Sequence, residues 1–312
     1  MNDRSCHDIG KRKNGLLAVI LGPTGVGKTE LCLGVAEHFH IPIINADSRQ
    51  IFREIPIGTA APTAAQQARV KHFFVGNHSI GDYYSASSYE QDALAETNRQ
   101  LEHGPLALLT GGSMMYIDAV CKGIDDIPTI RDDIRGEVKR RYAEGGLEPL
   151  VEQLLLLDPE HYKTVDRKNP RRVMHALEIC LQTGKTYTSF RKNDKKERPF
   201  NIIKIGLNRP REELYERINR RVDQMVADGL VDEARRMLPF RNENALNTVG
   251  FKEIFKYFDG IWQLGEAVER IKGNTRRYCR KQLTWFKRDG EIRWFTPDNV
   301  EEIINYIESM ID

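Results

Sequence analysis

Apolar residues run unbroken over Leu16–Leu21, and similar short apolar segments recur at 41–45, 106–110 and Asn201–Leu207. A run this short with no polar alternation fits a strand buried on both faces. Helical periodicity follows the first run, with Leu31, Val35 and Phe39 on one face of a pattern that begins at Lys28. Another helical start at Met114 follows the third strand and its Gly111-Gly112-Ser113 ending, and a further pattern covers 211–238 after the fourth. Strands alternating with helices predict an α/β fold with a mainly parallel sheet. The middle of the chain differs. Helical patterns at 131–143, 147–157 and 171–182 follow one another, punctuated by Gly145-Gly146 and Asp158-Pro159, and predict a helical insertion. The polar, basic stretch 185–198 reads as an exposed, mobile segment. A last helical pattern covers 261–288.

With 312 residues, 40% of them hydrophobic, the chain can bury a large core. The expected organisation is a polar N-terminal extension over 1–14, a core formed by 15–125 and 200–312, and an insertion over 126–199. The formal net charge of +2 neither requires nor excludes a nucleic-acid partner, so the distribution of charge decides. Basic residues gather late, at Arg270, Lys272, Arg276, Arg277, Arg280, Lys281, Lys287 and Arg288. The cysteines at 6, 32, 121, 180 and 279 are scattered and lack metal-ligand spacing, as expected of reduced thiols in a cytoplasmic protein. No apolar run reaches the roughly 18 residues that a membrane span needs. Nothing in the sequence demands more than a monomer.

The residues between the first strand and the first helix carry the sharpest chemistry. Gly22-Pro23-Thr24-Gly25-Val26-Gly27-Lys28-Thr29 matches the phosphate-loop pattern at every specified position, in the strand–loop–helix context that it requires. Glycines let successive N–H groups point at phosphate oxygens, and the helix N-terminus adds partial positive charge. Lys28 adds a full charge, and the Thr29 hydroxyl is placed to hold Mg²⁺. This predicts a P-loop NTPase-like core and a diphosphate or triphosphate ligand, without specifying ATP.

Asp47 follows the second strand. Ligands of open α/β sheets lie beyond the carboxyl ends of strands, so Asp47, the phosphate loop and Gly111-Gly112-Ser113 are expected to share one pocket. A carboxylate there can accept a proton from a nucleophile, hold Mg²⁺, or simply cap a helix. The third strand ends in Thr110-Gly111-Gly112 and so lacks the acidic residue of an ordinary ATPase.

Taken together these blocks resemble the tRNA dimethylallyltransferase (tRNA isopentenyltransferase) family of bacterial type. The resemblance runs through the phosphate loop, Asn45-Ala46-Asp47-Ser48-Arg49-Gln50-Ile51-Phe52, Ile57-Gly58-Thr59-Ala60 and Gly111-Gly112-Ser113-Met114-Met115-Tyr116. It continues in Arg171-Arg172-Val173-Met174-His175-Ala176-Leu177-Glu178, Val249-Gly250-Phe251-Lys252-Glu253, and Thr275-Arg276-Arg277-Tyr278 running into Lys281-Gln282-Leu283-Thr284-Trp285-Phe286. The departures are small. Gly25-Val26 stands where Ala-Ser is usual, Ser113 replaces Thr, Phe251 replaces Tyr, and Val173 and His175 sit where Leu and Arg are common.

The resemblance implies dimethylallyl diphosphate as donor, Mg²⁺ as cofactor, and N6 of adenosine 37 in the tRNA anticodon stem-loop as acceptor. Gly22, Thr24, Gly25, Val26, Gly27, Lys28 and Thr29 would hold the diphosphate. Lys28 and Arg221 would stabilise it as it departs, and Asp47 would take the N6 proton. Arg221, in Arg217-Ile218-Asn219-Arg220-Arg221, also reads as an ordinary helix arginine. Ser48, Arg49, Gln50 and Ser113 would meet the base or its backbone beside Asp47. Arg135, Arg171, Arg172, Val173, Met174 and His175 would meet RNA from the insertion, and Arg277 and Lys281 from the last basic helix. Tyr278 and Trp285 interleave with the basic groups of that helix, and Leu283, Trp285 and Phe286 read as its core residues. The alternatives are an adenylate isopentenyltransferase, which would not need the basic C-terminal half, a P-loop small-molecule kinase, and a non-catalytic RNA-binding protein.

Overall fold

The computed structural model describes residues 15–192 and 194–311, so the expected N-terminal extension 1–14 lies outside the described residues. The chain divides into two compact units, one formed by 15–121 and 197–311 and the other by Lys122–Lys196. The boundaries of the second differ by a few residues from the expected 126–199.

The first unit is built on six strands: β1 (Leu16–Leu21), β2 (Ile43–Ala46), β3 (His72–Phe73), β4 (Leu106–Gly111), β5 (Asn201–Leu207) and β6 (Ile292–Phe295). They lie in the order β3-β2-β4-β1-β5-β6, and every pairing is parallel. β1 is central and buried along its whole length. Leu16, Ala18 and Ile20 enter one core, against helices Lys28–Phe39 and Val300–Glu308. Leu17, Val19 and Leu21 enter another, against helices Ala86–His103 and Met114–Lys122. The period-two alternation of a strand thus serves two apolar faces, which explains the unbroken hydrophobic run. A third apolar cluster joins helices Arg211–Ala227, Leu230–Arg236, Phe251–Phe258 and Leu264–Phe286.

Several elements differ from expectation. The helix expected over 211–238 breaks into two, because Gly229 adopts φ +102° between them. β3 and β6 escape a reading by pattern because each is too short to show a period, and both are recruited at the sheet edges. The described part of the segment expected to be mobile is anchored. Lys192 N–H donates to the Asp125 carboxylate at 3.0 Å and Lys196 N–H to the Lys122 carbonyl at 2.8 Å. Arg198 is 8% exposed and binds Glu90 at 2.6 Å and the Ala119 and Val120 carbonyls. Its charge is buried but fully paired, the condition under which burial is tolerated.

The second unit packs helices Asp132–Gly145, Glu148–Leu157, Pro159–Thr164 and Pro170–Thr183 around Val138, Leu150, Leu154, Val173, Ala176 and Leu177. Asp158-Pro159 does more than punctuate. Asp158 is the N-cap of Pro159–Thr164, accepting from His161 N–H at 2.9 Å, with proline in the first turn. The Asp158 carboxylate also accepts from the Thr188 N–H and hydroxyl, at 2.8 and 2.9 Å.

Candidate active site

The tips of β2, β4 and β1 are neighbours, and about 4.8 Å separates adjacent strands. Asp47 therefore emerges roughly two strand spacings, about 10 Å, from Gly22. The space beyond these tips is a pocket of about 1020 Å³ within the first unit, lined among others by Thr24, Gly25, Lys28, Thr29, Asp47 and Ser113.

The phosphate loop takes its shape from glycine and from packing. Gly25 and Gly27 adopt φ +84° and +107°, and a β-carbon on Gly25 would lie 2.8 Å from the Ile218 side chain. A β-carbon on Gly22 would lie 2.8 Å from the Leu207 carbonyl oxygen. Val26 points into the core, fully buried, so its side chain is withheld from the pocket. The Lys28 ammonium donates to the Gly22 and Pro23 carbonyls, both at 2.9 Å. Burial and, after it, the nearby Arg221 charge lower its pKa to about 8, with Asp47 opposing both. Burial also lowers the pKa of Arg221, again against the pull of Asp47. The phosphate-loop lysine, the Arg217–Arg221 helix face and the strand-tip carboxylate thus lie within electrostatic reach of one another.

Arg221 spans the pocket wall. It reaches the Thr24 hydroxyl at 3.5 Å and the Thr59 carbonyl at 3.4 Å. Arg217, one helical turn earlier, donates to the Gly25 carbonyl at 2.8 Å, and Arg209 donates to the Val26 carbonyl at 2.9 Å. These two arginines, which also line the pocket, hold loop carbonyls in place. The i, i+4 spacing of Arg217 and Arg221 was the available signal for the first; nothing in the sequence pointed to Arg209.

The Asp47 wall is tied together by side chains. Asp47 accepts from Arg49 N–H at 2.9 Å. Ser113 accepts from Ser48 N–H at 2.8 Å and donates to the Ser48 hydroxyl at 3.1 Å, so the hydroxyl shared with threonine has a use here. Arg49 donates to the Asn244 carbonyl at 2.9 Å, and Gln50 to the Thr59 and Ala60 carbonyls at 3.2 and 3.1 Å. Glu233, 1% exposed, receives Ile57 N–H at 2.9 Å and Gly58 N–H at 2.7 Å, holding the short helix Pro56–Thr59 whose last carbonyls serve Arg221 and Gln50. Phe251 packs where a Gly58 β-carbon would come, 2.4 Å from its ring, so phenylalanine at 251 completes an apolar contact.

Helix Leu264–Phe286 closes the pocket with Tyr278 and Gln282. Of the residues expected in the core, Phe286 is buried and Leu283 is half-buried, whereas Trp285 is exposed, because the helix turns its buried face through Cys279, Gln282 and Phe286. Tyr278 is 37% exposed and burial, with Asp47 nearby, raises its pKa to about 12, while Trp285 donates to Asp118 at 2.9 Å. Arg277 and Lys281 are exposed on the same helix. Arg276 and Arg280 turn toward helix Arg211–Ala227, bonding Asn219 at 2.6 Å and Tyr215 at 2.7 Å.

In the second unit Arg171, Arg172 and His175 are exposed, and Met174 is half-buried. Val173 is fully buried in the unit's core, which corrects its expected place at an RNA surface: its apolar side chain packs at the helical spacing that holds Ala176 and Leu177.

The glycine-shaped loop and the Asp47 carboxylate thus line one pocket beyond the tips of an all-parallel sheet. The family model described as IPP transferase matches residues 50–289, and the chain belongs to that family. Similar proteins include tRNA dimethylallyltransferase 1 of Phocaeicola vulgatus, 61% identical over 94% of this chain and 98% of the relative. Its namesake in Bacteroides thetaiotaomicron is 60% identical over 93% and 94% of the two chains. The full-length tRNA isopentenylpyrophosphate transferase of Bacillus halodurans superposes with a TM-score of 0.69 at 34% identity, covering 96% of this chain and 97% of that one. A eukaryotic dimethylallyltransferase acting on tRNA, at 22% identity, shares the fold with a TM-score of 0.74. No helix among the described residues is long and apolar enough to cross a membrane.

Proposed function

We propose that this prenyltransferase moves the dimethylallyl group of dimethylallyl diphosphate to N6 of adenosine 37 in tRNA, yielding N6-isopentenyladenosine and diphosphate. The observation that carries the reading is the placement of Asp47 in one pocket with Lys28 and Arg221, close enough to act on the ionisation of both. The loop N–H groups, Lys28 and Arg221 hold the diphosphate and stabilise its charge as the C1–O bond breaks. The N6 lone pair forms the new bond to C1, the electrons of the broken bond leave with diphosphate, and Asp47 takes the N6 proton.

The residues present suit Mg²⁺. The Thr29 hydroxyl and the Asp47 carboxylate line the pocket as hard oxygen donors, and Mg²⁺ commonly keeps few protein ligands while phosphate oxygens and water supply the rest. When bound it would neutralise phosphate charge and strengthen diphosphate as a leaving group. Thr29 is the residue that would hold it.

A base in the anticodon stem-loop must leave its stack to reach this pocket, and half-exposed Tyr278 at the pocket wall offers a ring against which it can rest. Exposed Arg277 and Lys281, on the helix that carries Tyr278, supply phosphate contacts outside. That pairing favours tRNA over free adenylate as acceptor. The reading also places the enzyme in the cytoplasm as a monomer. Purified protein with labelled dimethylallyl diphosphate and either unmodified tRNA, AMP or ATP provides the test. Label in tRNA alone is expected; label in AMP, or phosphoryl transfer from ATP without prenyl transfer, would overturn the reading.

A further inference from the structure

Gln282 takes no part in the chemistry above, yet it lies at the pocket and is 2% exposed. Its Oε1 accepts from Thr24 N–H at 2.9 Å, and its Nε2 donates to the Gly112 carbonyl at 2.8 Å. These partners fix the orientation of the amide, since a flipped head would set donor against donor and acceptor against acceptor. The partners sit just past the tips of adjacent strands β1 and β4, which are in register at Leu21 and Gly111.

The contacts continue on both sides. The Thr24 hydroxyl meets Arg221 at 3.5 Å. Next to Gly112, the Ser113 hydroxyl accepts from Ser48 N–H at 2.8 Å, and Ser48 adjoins Asp47. A β-carbon on Gly112 would lie 2.6 Å from Gln282 Nε2, so the β4 tip is shaped around this amide. A single planar head with one donor side and one acceptor side therefore joins the loop that would hold the donor to the tip of β4, which Ser113 in turn ties to Ser48 beside Asp47.

We infer that Gln282 is a positioning residue: it sets the spacing between the diphosphate loop and Asp47, and so the alignment of C1 with the incoming amine. The inference rests on the prenyl-transfer reading above. Misplacement of reacting groups by about 1 Å can cost about 100-fold in rate, whereas each loop's own ligand contacts survive a small relative shift. The expected signature is thus a fall in kcat with little change in KM.

The test uses the full-length protein with dimethylallyl diphosphate and unmodified tRNA, and compares wild type with Gln282→Leu and Gln282→Glu. Gln282→Leu loses both bonds, and its kcat should fall by about 10- to 100-fold with KM for the donor within about threefold. Ionised Gln282→Glu still accepts from Thr24 but opposes the Gly112 carbonyl; protonated, it regains the donor and matches glutamine in shape. Lys28, Arg221, Asp47 and Tyr278 also line the pocket, so each rate is divided by the wild-type rate at the same pH. That ratio should rise as pH falls. Gln282→Glu serves as the probe if Gln282→Leu fails to fold. A pH-independent ratio, or variants with kcat within about threefold of wild type, would overturn the positioning role. Wild type that transfers no prenyl group would instead sink the function reading, and the positioning role with it.

Discussion

The two walls of the pocket are built by different means. The phosphate-loop wall is one contiguous segment whose backbone is shaped by glycine at positive φ. The facing wall draws Asp47, Ser113, Arg221 and Gln282 from four separate segments; side-chain hydrogen bonds tie Ser113 to Ser48 beside Asp47, Gln282 to Gly112 beside Ser113, and both Arg221 and Gln282 to Thr24 of the loop. The first depends on its backbone path, which Gly25 and Gly27 set at positive φ. The second depends on side-chain length and polarity, so even a one-atom change alters its geometry.

Asp47→Ala removes the proton acceptor and breaks the comparison most severely. Turnover should fall by about 10²- to 10⁴-fold with tRNA binding retained, measured by single-turnover prenylation and by filter binding. On the other wall, Lys28→Ala removes one charge while the loop amides remain, and kcat/KM for the donor should fall by about 10²- to 10³-fold.

The titration of Lys28 sharpens the contrast without a mutation. Its pKa in the free protein is lowered to about 8 from an ordinary 10.5. Below pH 8 the lysine is already charged and meets the diphosphate directly. Above it, binding must take up a proton, so donor affinity should fall by up to about tenfold per pH unit, as read by calorimetry at stepped pH. The stability contribution has the opposite sign. Between about pH 8 and 10.5 the unfolded chain holds a proton that the folded one has lost, so this residue's contribution to stability rises with pH and is smallest below 8.

The smallest effects belong to the outer surface. Arg277→Ala and Lys281→Ala should each weaken tRNA binding about fivefold and reduce the slope of log K against log salt by about 1, with donor KM unchanged. A change in kcat at saturating tRNA would move these residues from the RNA surface into the site itself.

Legibility followed contiguity. The phosphate loop, β1, β4, β5 and the helical insertion could be read because each is a local pattern with a local cause. Asp47 could be placed because ligands gather at strand tips. Arg209 and Glu233 were silent, and Gln282 stood out only as part of a resembling block, since nothing near them in the chain announces the carbonyl or N–H that each one meets. Val173 was misplaced for the same reason: the block around it holds both exposed arginines and core positions, and only the packing of the second unit separates them.

The sequence by itself determined the cradle, because glycines, a lysine and a helix start within eight residues leave a loop of N–H groups little choice of shape. Only the tertiary structure decided what faces that cradle. The order β2-β4-β1 sets the reach from carboxylate to lysine, and helices late in the chain deliver Arg221 and Gln282 to its rim. Those distances are set by sheet topology and helix packing, which depend on contacts between residues more than a hundred positions apart, and no local pattern encodes them.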